Sequence, residues 1–151
     1  MPLSALDMVL AERDCARLVA EYVHHVDHDN AAEVADLFTP DGTWQMPGGE
    51  RFHGTDELRR LFPVRMSSED RVTLHVCAPS LITVHDEMTA TGCTYFVNYR
   101  ADGFSLPQIP LTDAPRYVGE YRDSFRRTAD GWRIDTRTVV LCFAHARFAR
   151  E

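Results

Sequence analysis

The densest run of chemically capable side chains is His24-His25-Val26-Asp27-His28-Asp29-Asn30, placed where an amphipathic helix runs out. At about 100° per residue, Tyr22 falls inside the apolar stripe of that helix and Asp27 at its edge. Tyr22 is therefore expected to point inward. Asp27 stands at the helix C-terminal end, where the macrodipole is negative, so its carboxylate needs a cationic or proton-donating partner. His24 and His28, spaced i, i+4, share a face that could ligate an ion. No HExxH or facial carboxylate accompanies them, and His24 lies opposite the apolar stripe, so no metal site is expected. A solvated helix end is the plainer reading of the cluster.

His75 is the second candidate, in the middle of Val72-Thr73-Leu74-His75-Val76-Cys77. Strand alternation puts Val72, Leu74 and Val76 on one face and Thr73, His75 and Cys77 on the other. If that semi-polar face lines a cavity, a carboxylate could fix the imidazole tautomer and stabilise the imidazolium. A core histidine bonded to a backbone carbonyl fits the same pattern. Further on, Ala90, Gly92, Thr94, Phe96 and Asn98 share a face, and Asn98 brings both a donor and an acceptor. Tyr117, Gly119, Tyr121, Asp123 and Phe125 share another; Arg133, Asp135, Arg137, Val139, Leu141 and Phe143 share a third. Arg137 could reach inward to an oxyanion or pair with a surface glutamate, and the period leaves both open.

These side chains need elements to hold them. Cys15, Leu18, Val19, Tyr22, Val23 and Val26 recur at helical spacing and predict a helix from Ser4 to His28. Asn30 followed by Glu33 reads as a capping box for a short second helix, closed by a turn at Thr39-Pro40-Asp41-Gly42. Thr43 to Met46 is strand-like until Pro47-Gly48-Gly49, and Thr55 caps a third helix ended by Pro63. Past a polar stretch from Ser67 to Asp70, four long strands are predicted: Val72 to His85, bent at Pro79, then Met88 to Tyr99, Arg116 to Arg127 and Trp132 to Phe143. Asp86-Glu87, a loop from Ala101 to Pro115 and the Ala129-Asp130-Gly131 hairpin connect them. Helices followed by a meander predict one α+β domain over residues 1–151, a strongly curved sheet wrapped around an internal cavity with helices on its concave face.

Composition narrows the partners. The 151 residues carry sixteen Lys+Arg against 23 Asp+Glu, a formal charge of −7, and no basic run exceeds two residues, so nucleic acid is not an expected partner. No window approaches a membrane span, which leads to the expectation of a soluble, cytoplasmic protein with no membrane partner. Cys15, Cys77, Cys93 and Cys142 lack CxxC spacing and are expected as buried thiols rather than disulfides. GxGxxG, Walker and GxSxG motifs are absent, and no cofactor is expected.

The stretch from Tyr22 and Asp27 into Ala35-Asp36-Leu37-Phe38-Thr39-Pro40-Asp41-Gly42-Thr43-Trp44, then Phe52-His53-Gly54, His75 and Arg127-Thr128-Ala129-Asp130-Gly131-Trp132-Arg133-Ile134, resembles the SnoaL-like branch of the nuclear-transport-factor-2-like superfamily. The resemblance spans nearly the whole chain. It implies a cone: a curved antiparallel to mixed sheet with three N-terminal helices enclosing a hydrophobic pocket. Within the branch the sequence is similar to scytalone dehydratase, bile-acid 7α-dehydratase and hexachlorocyclohexane dehydrochlorinase, whose sites use an Asp–His dyad. Carried over by position, Asp27 matches the dyad carboxylate, His75 the general base and Arg137 the dehydrochlorinase's pocket arginine. Tyr22 matches the bile-acid enzyme's tyrosine, and Asn98 the polar residue of the neighbouring strand. The dehydrochlorinase has a lysine at the Tyr22 position, so the match favours loss or gain of water over chloride removal.

The resulting expectation is a cofactor-independent lyase, a dehydratase or hydratase. Its small hydroxylated cyclic substrate, a polyketide, terpenoid or steroid-like ring, would be walled by Phe96, Tyr117, Tyr121, Phe125, Leu141 and Phe143. An isomerase or cyclase using the same dyad, or a non-catalytic binding or assembly module, are the alternatives. The apolar outer strand face carrying Val72, Leu74 and Val76 predicts a homo-oligomer. The resemblance favours a trimer over a dimer.

Overall fold

Ser4 Oγ accepts the Asp7 backbone N–H at 3.1 Å while the Asp7 carboxylate accepts the Ser4 N–H, a closed capping box that starts α1, Ala5–Asp27. The computed structural model describes residues 3–28, 30–66 and 70–148; Asp29 and the 67–69 part of the polar stretch lie outside them. The buried face of α1 is Ala11, Cys15, Leu18, Val19 and Tyr22, the expected stripe. Through it the helix packs on the sheet.

α2 spans Ala31–Asp36, but the capping box expected at Asn30 does not form. Asn30 sits at φ −89°, ψ 54°, away from the extended geometry that aims a cap side chain at the helix N–H groups. The turn expected at Thr39 to Gly42 instead lies inside strand β1, Phe38–Gln45. β1 runs parallel to the last strand, and its register jumps from Phe38↔Ile134 to Thr43↔Thr136, so the Pro-Asp-Gly segment bulges out of the ladder. A side chain at Gly42 would meet Phe38 Cβ at 2.9 Å, which is why the bulge can fold so tightly. A short strand not expected from the sequence, β2 (Arg51–His53), pairs back on β1.

α3 runs Thr55–Met66 and continues past Pro63, where it was expected to stop. Proline removes one helical hydrogen bond but its fixed φ suits the helix, and buried Leu58 and Phe62 hold the preceding turns. The long first strand of the meander is two strands, β3 (Arg71–Cys77) and β4 (Leu81–Val84), interrupted around Pro79. Both pair with β5, Thr89–Asp102. β6 (Tyr117–Thr128) and β7 (Gly131–Ala144) complete a curved, unclosed seven-stranded sheet ordered β2-β1-β7-β6-β5-β3, with β4 also on β5.

A register shift corrects one wall residue. Gly119 faces Leu141 but Val118 faces Phe143, so Cys142 is an extra residue that reverses the alternation of β7. Phe143 consequently turns to the outer face, 71% exposed, and cannot line the cavity. Phe125 does face inward, yet it is buried at the closed end against Ala90 and Ile134 and does not reach the cavity. The cysteines are all free thiols, but only Cys15 is buried; Cys142 is exposed because of the same shift, and Cys77 and Cys93 are half-buried. Among the described residues no helix is long and apolar enough to cross a membrane.

Candidate active site

The last residue of α1 meets the middle of β3. His75 Nδ1 lies 2.6 Å from Asp27 Oδ1, and the His75 backbone N–H donates to Asp27 Oδ2 at 2.7 Å. One carboxylate thus grips both the ring and the strand. The side chains are 14% and 6% exposed respectively, so the contact is shielded from water. It also answers the electrostatic problem of a carboxylate at a helix C-terminus, since the strand N–H donates to it and the ring in its Nδ1–H tautomer does the same. With Nδ1 engaged, Nε2 is the ring nitrogen available to a ligand.

His75 lines a cavity of about 440 Å³, within the size range of small-molecule sites. Tyr22, Asn98, Phe96, Tyr117, Tyr121 and Leu141 line it too, as expected from strand and helix parity. The Phe96 and Tyr121 rings stack at 4.4 Å, His75 tilts against Phe96 at 6.1 Å, and Tyr22 meets Tyr121 edge-on at 5.7 Å. Burial pushes the Tyr22 phenol above its ordinary range, the Arg137 charge offsetting part of the shift, and holds Tyr121 well above it. Both remain proton donors at neutral pH.

Arg137 is placed elsewhere than expected. It is fully buried beneath the aromatic layer and outside the cavity lining. Its Nε and Nη2 donate to the two Asp123 oxygens at 2.8 and 2.6 Å, and its Cζ lies 4.1 Å from the Tyr22 ring centroid and 4.4 Å from that of Tyr121. Cross-strand register explains this, because Asp123 and Arg137 are direct partners on β6 and β7. Burial alone would lower the guanidinium, but the Asp123 charge and hydrogen bonds more than offset that and hold it above its ordinary value. Arg137 therefore backs the Tyr22 and Tyr121 rings and is not among the residues that line the cavity.

Asn98 lines the cavity opposite His75 in register, but its amide nitrogen is spent on Thr73 Oγ1 (3.1 Å), Tyr99 O (3.3 Å) and Leu74 O (3.4 Å). Oδ1 is left to face a ligand. At the helix end, His28 Nδ1 contacts the His24 carbonyl at 2.7 Å and the two rings stack at 4.2 Å. Among the described residues, no group of three His, Cys, Asp or Glu comes together around an ion.

Sequence reasoning missed Trp44, Met46, Phe62, Arg65, Arg71, Arg100 and Arg116 as lining residues. Two of them were within reach, since Arg71 shares the His75 face at i−4 and Arg100 the Asn98 face at i+2. Arg65 was hidden by ending α3 at Pro63.

A curved sheet with helices packed against it, around a cavity lined by aromatic and polar side chains, defines the cone architecture. The chain belongs to the SnoaL-like domain family, which it matches over residues 7–138. No curated protein is a significant match in sequence. An NTF2-like protein with a cystatin-like fold from Novosphingobium aromaticivorans is similar at 24% identity and TM-score 0.73, over 92% of this chain and 86% of that one. A scytalone-dehydratase-like protein from the same organism is similar at 18% identity and TM-score 0.75, covering 91% and 87%. A hexachlorocyclohexane dehydrochlorinase, LinA type 2, is similar at 14% identity and TM-score 0.74, covering 94% and 92%. At such identities the likeness is one of fold.

Proposed function

We propose that the protein is a lyase that adds or removes water at a small cyclic substrate by proton transfer through His75. The observation that carries the reading is the two-point grip of Asp27 on His75 at the wall of a cavity lined in part by aromatic rings. His75 Nε2 removes a proton from carbon beside a carbonyl while Asp27 stabilises the imidazolium. Tyr22, kept protonated by burial, donates to the oxygen that gathers charge. The C–O bond at the neighbouring carbon then breaks, the double bond forms, and the imidazolium proton leaves with the hydroxyl as water. Phe96, Tyr117, Tyr121 and Leu141 supply the apolar wall for the ring.

The test is turnover of a panel of β-hydroxy cyclic ketones, read by mass spectrometry. Loss of one water by the parent protein, abolished in His75→Gln and Asp27→Ala, is the expected result. Full activity in both variants refutes the dyad, and a product of unchanged mass replaces dehydration with isomerisation. The outer face supports self-association, because Val76, Val97, Val118 and Phe143 form one cross-strand row there; the homotrimer is the stoichiometry that the family resemblance favours. Molar mass by light scattering tests that stoichiometry.

A further inference from the structure

Opposite the closed end of the cavity, β5 leaves the sheet at Asp102 and the chain returns as β6 at Tyr117. Arg100, Arg116 and Tyr117, at the two roots of the strap that joins them, line the cavity, and so does Pro47, just past the end of β1, three strands from β5. The strap is therefore rooted on the cavity rim. Its backbone is tied to the body at those roots, by the Gly103 N–H on the Asp70 carbonyl and the Arg116 N–H on the Asn98 carbonyl, both at 2.7 Å. Between them, among the described residues, the backbone hydrogen bond is one within the strap itself, Gln108 N–H on Ser105 O at 2.9 Å.

The side chains on this strap are those of an interior. Leu106, Ile109 and Leu111 are 80, 86 and 98% exposed, and Phe104 stands exposed beside them. Single apolar residues on a surface are ordinary, but a run of large ones held in water marks a segment that docks on something. Pro107, Pro110 and Pro115 stiffen the strap and, having no N–H, leave fewer donors to satisfy when it lies against an apolar wall. Gly103, at φ +81°, gives one root a backbone conformation that other residues rarely adopt. Reach is sufficient too. Half of the twelve residues 104–115 spans about 20 Å when extended. Three strand spacings from β5 to β1 amount to about 14 Å, and the curvature of the sheet shortens that path.

We infer that residues 103–115 form a lid, which swings about its two rim roots and lays Leu106, Ile109 and Leu111 over the cavity mouth toward Met46 and Pro47. The raised strap of this structure is the open state. Closing removes the exposed side chains from water and shuts bulk solvent away from His75 and the aromatic wall, as lids over small-molecule sites do. The lid does not depend on which reaction the cavity runs, so its test and that of the lyase reading fail separately.

Two measurements on the full chain test it. The first is chymotrypsin cleavage at Phe104, whose rate follows the population of the open state when closing is fast. The triple variant Leu106→Ser, Ile109→Ser, Leu111→Ser loses the apolar side chains of the lid, so it should be cut about tenfold faster than the parent protein while melting at the same temperature. The second is trapping across the mouth. With the exposed Cys142 replaced by serine, Pro47→Cys combined with Ile109→Cys should form a bridge within one chain on mild oxidation, located by mass mapping of the linked peptides. Such a bridge needs the two Cα atoms within about 7 Å, which only a lowered strap provides. Ile109→Cys alone in the same background should form none. Equal cleavage rates in parent and triple variant, or no bridge between positions 47 and 109, would overturn the lid. A bridge that joins two chains, or protection from cleavage that grows with protein concentration, would overturn it as well, by assigning the strap to a second copy.

Discussion

The Asp27 carboxylate holds His75 at two points, Nδ1 through Oδ1 at 2.6 Å and the backbone N–H through Oδ2 at 2.7 Å. A single-point contact would leave the imidazole free to rotate, whereas this one ties its orientation to the strand. Asp27→Asn keeps the size and one acceptor but must aim its amide nitrogen at one of two donors. The expected outcome is a folded protein with an unchanged melting temperature to within a few degrees and turnover lower by about 10²- to 10⁴-fold, the usual worth of an acid–base pair. Product formation and thermal melting, measured on the same preparation, check it.

The Asp123–Arg137 pair gives a second, independent expectation. Both side chains are fully buried, so removing one leaves an uncompensated charge in the core. Arg137→Leu should cost about 3–5 kcal/mol, and the double variant with Asp123→Leu should recover much of that loss. Urea unfolding curves for the two single variants and the double variant decide between this and a surface ion pair, whose loss would cost about 1 kcal/mol or less.

How much of this was legible in the sequence follows from the range of each signal. Helical spacing in α1 places Tyr22 inward, and strand parity in β3 puts Thr73 and His75 on the cavity face, because both depend only on local periods. Parity also fails for a local reason. One extra residue, Cys142, moves Phe143 to the outer face, and nothing in the composition of β7 marks it. The partner of Asp27 lay 48 residues away, so its place at the helix C-terminus showed that the carboxylate needed a partner without local spacing identifying it. Arg137 illustrates the opposite limit: the strand period left both its direction and its partner open, because they depend on a cross-strand register that the sequence does not state.

That extra residue makes Gly119 a point of vulnerability. A Cβ there would lie 2.1 Å from the Val140 carbonyl oxygen, because the bulged strand presses its backbone onto β6. Gly119→Ala should therefore destabilise by about 1–3 kcal/mol through forced backbone displacement. Leu141, which lines the cavity, pairs with Gly119 and should shift with it, weakening ligand binding. Thermal melting measures the destabilisation, and turnover of the β-hydroxy cyclic ketone panel reports the displaced cavity wall; a parent-like melting temperature would show that the strands separate without cost.

Alkaline conditions should loosen the core in a defined window. Burial, assisted by the Asp14 and Asp123 charges, pushes the Cys15 thiol from an ordinary value of 9.0 up to about 12, and burial raises the Tyr22 and Tyr121 phenols from 10.0. Near those ordinary values the unfolded chain releases these protons while the folded chain keeps them, so stability falls with rising pH. The contribution is fully present below about pH 9 and that of Cys15 is lost as pH climbs through about 12. Cys15→Ala removes one of the three groups, so its unfolding free energy should decline less steeply between pH 9 and roughly pH 11 than the parent's. Urea melts across that interval give both slopes, and parallel slopes would mean that Cys15 titrates alike in the folded and unfolded chains.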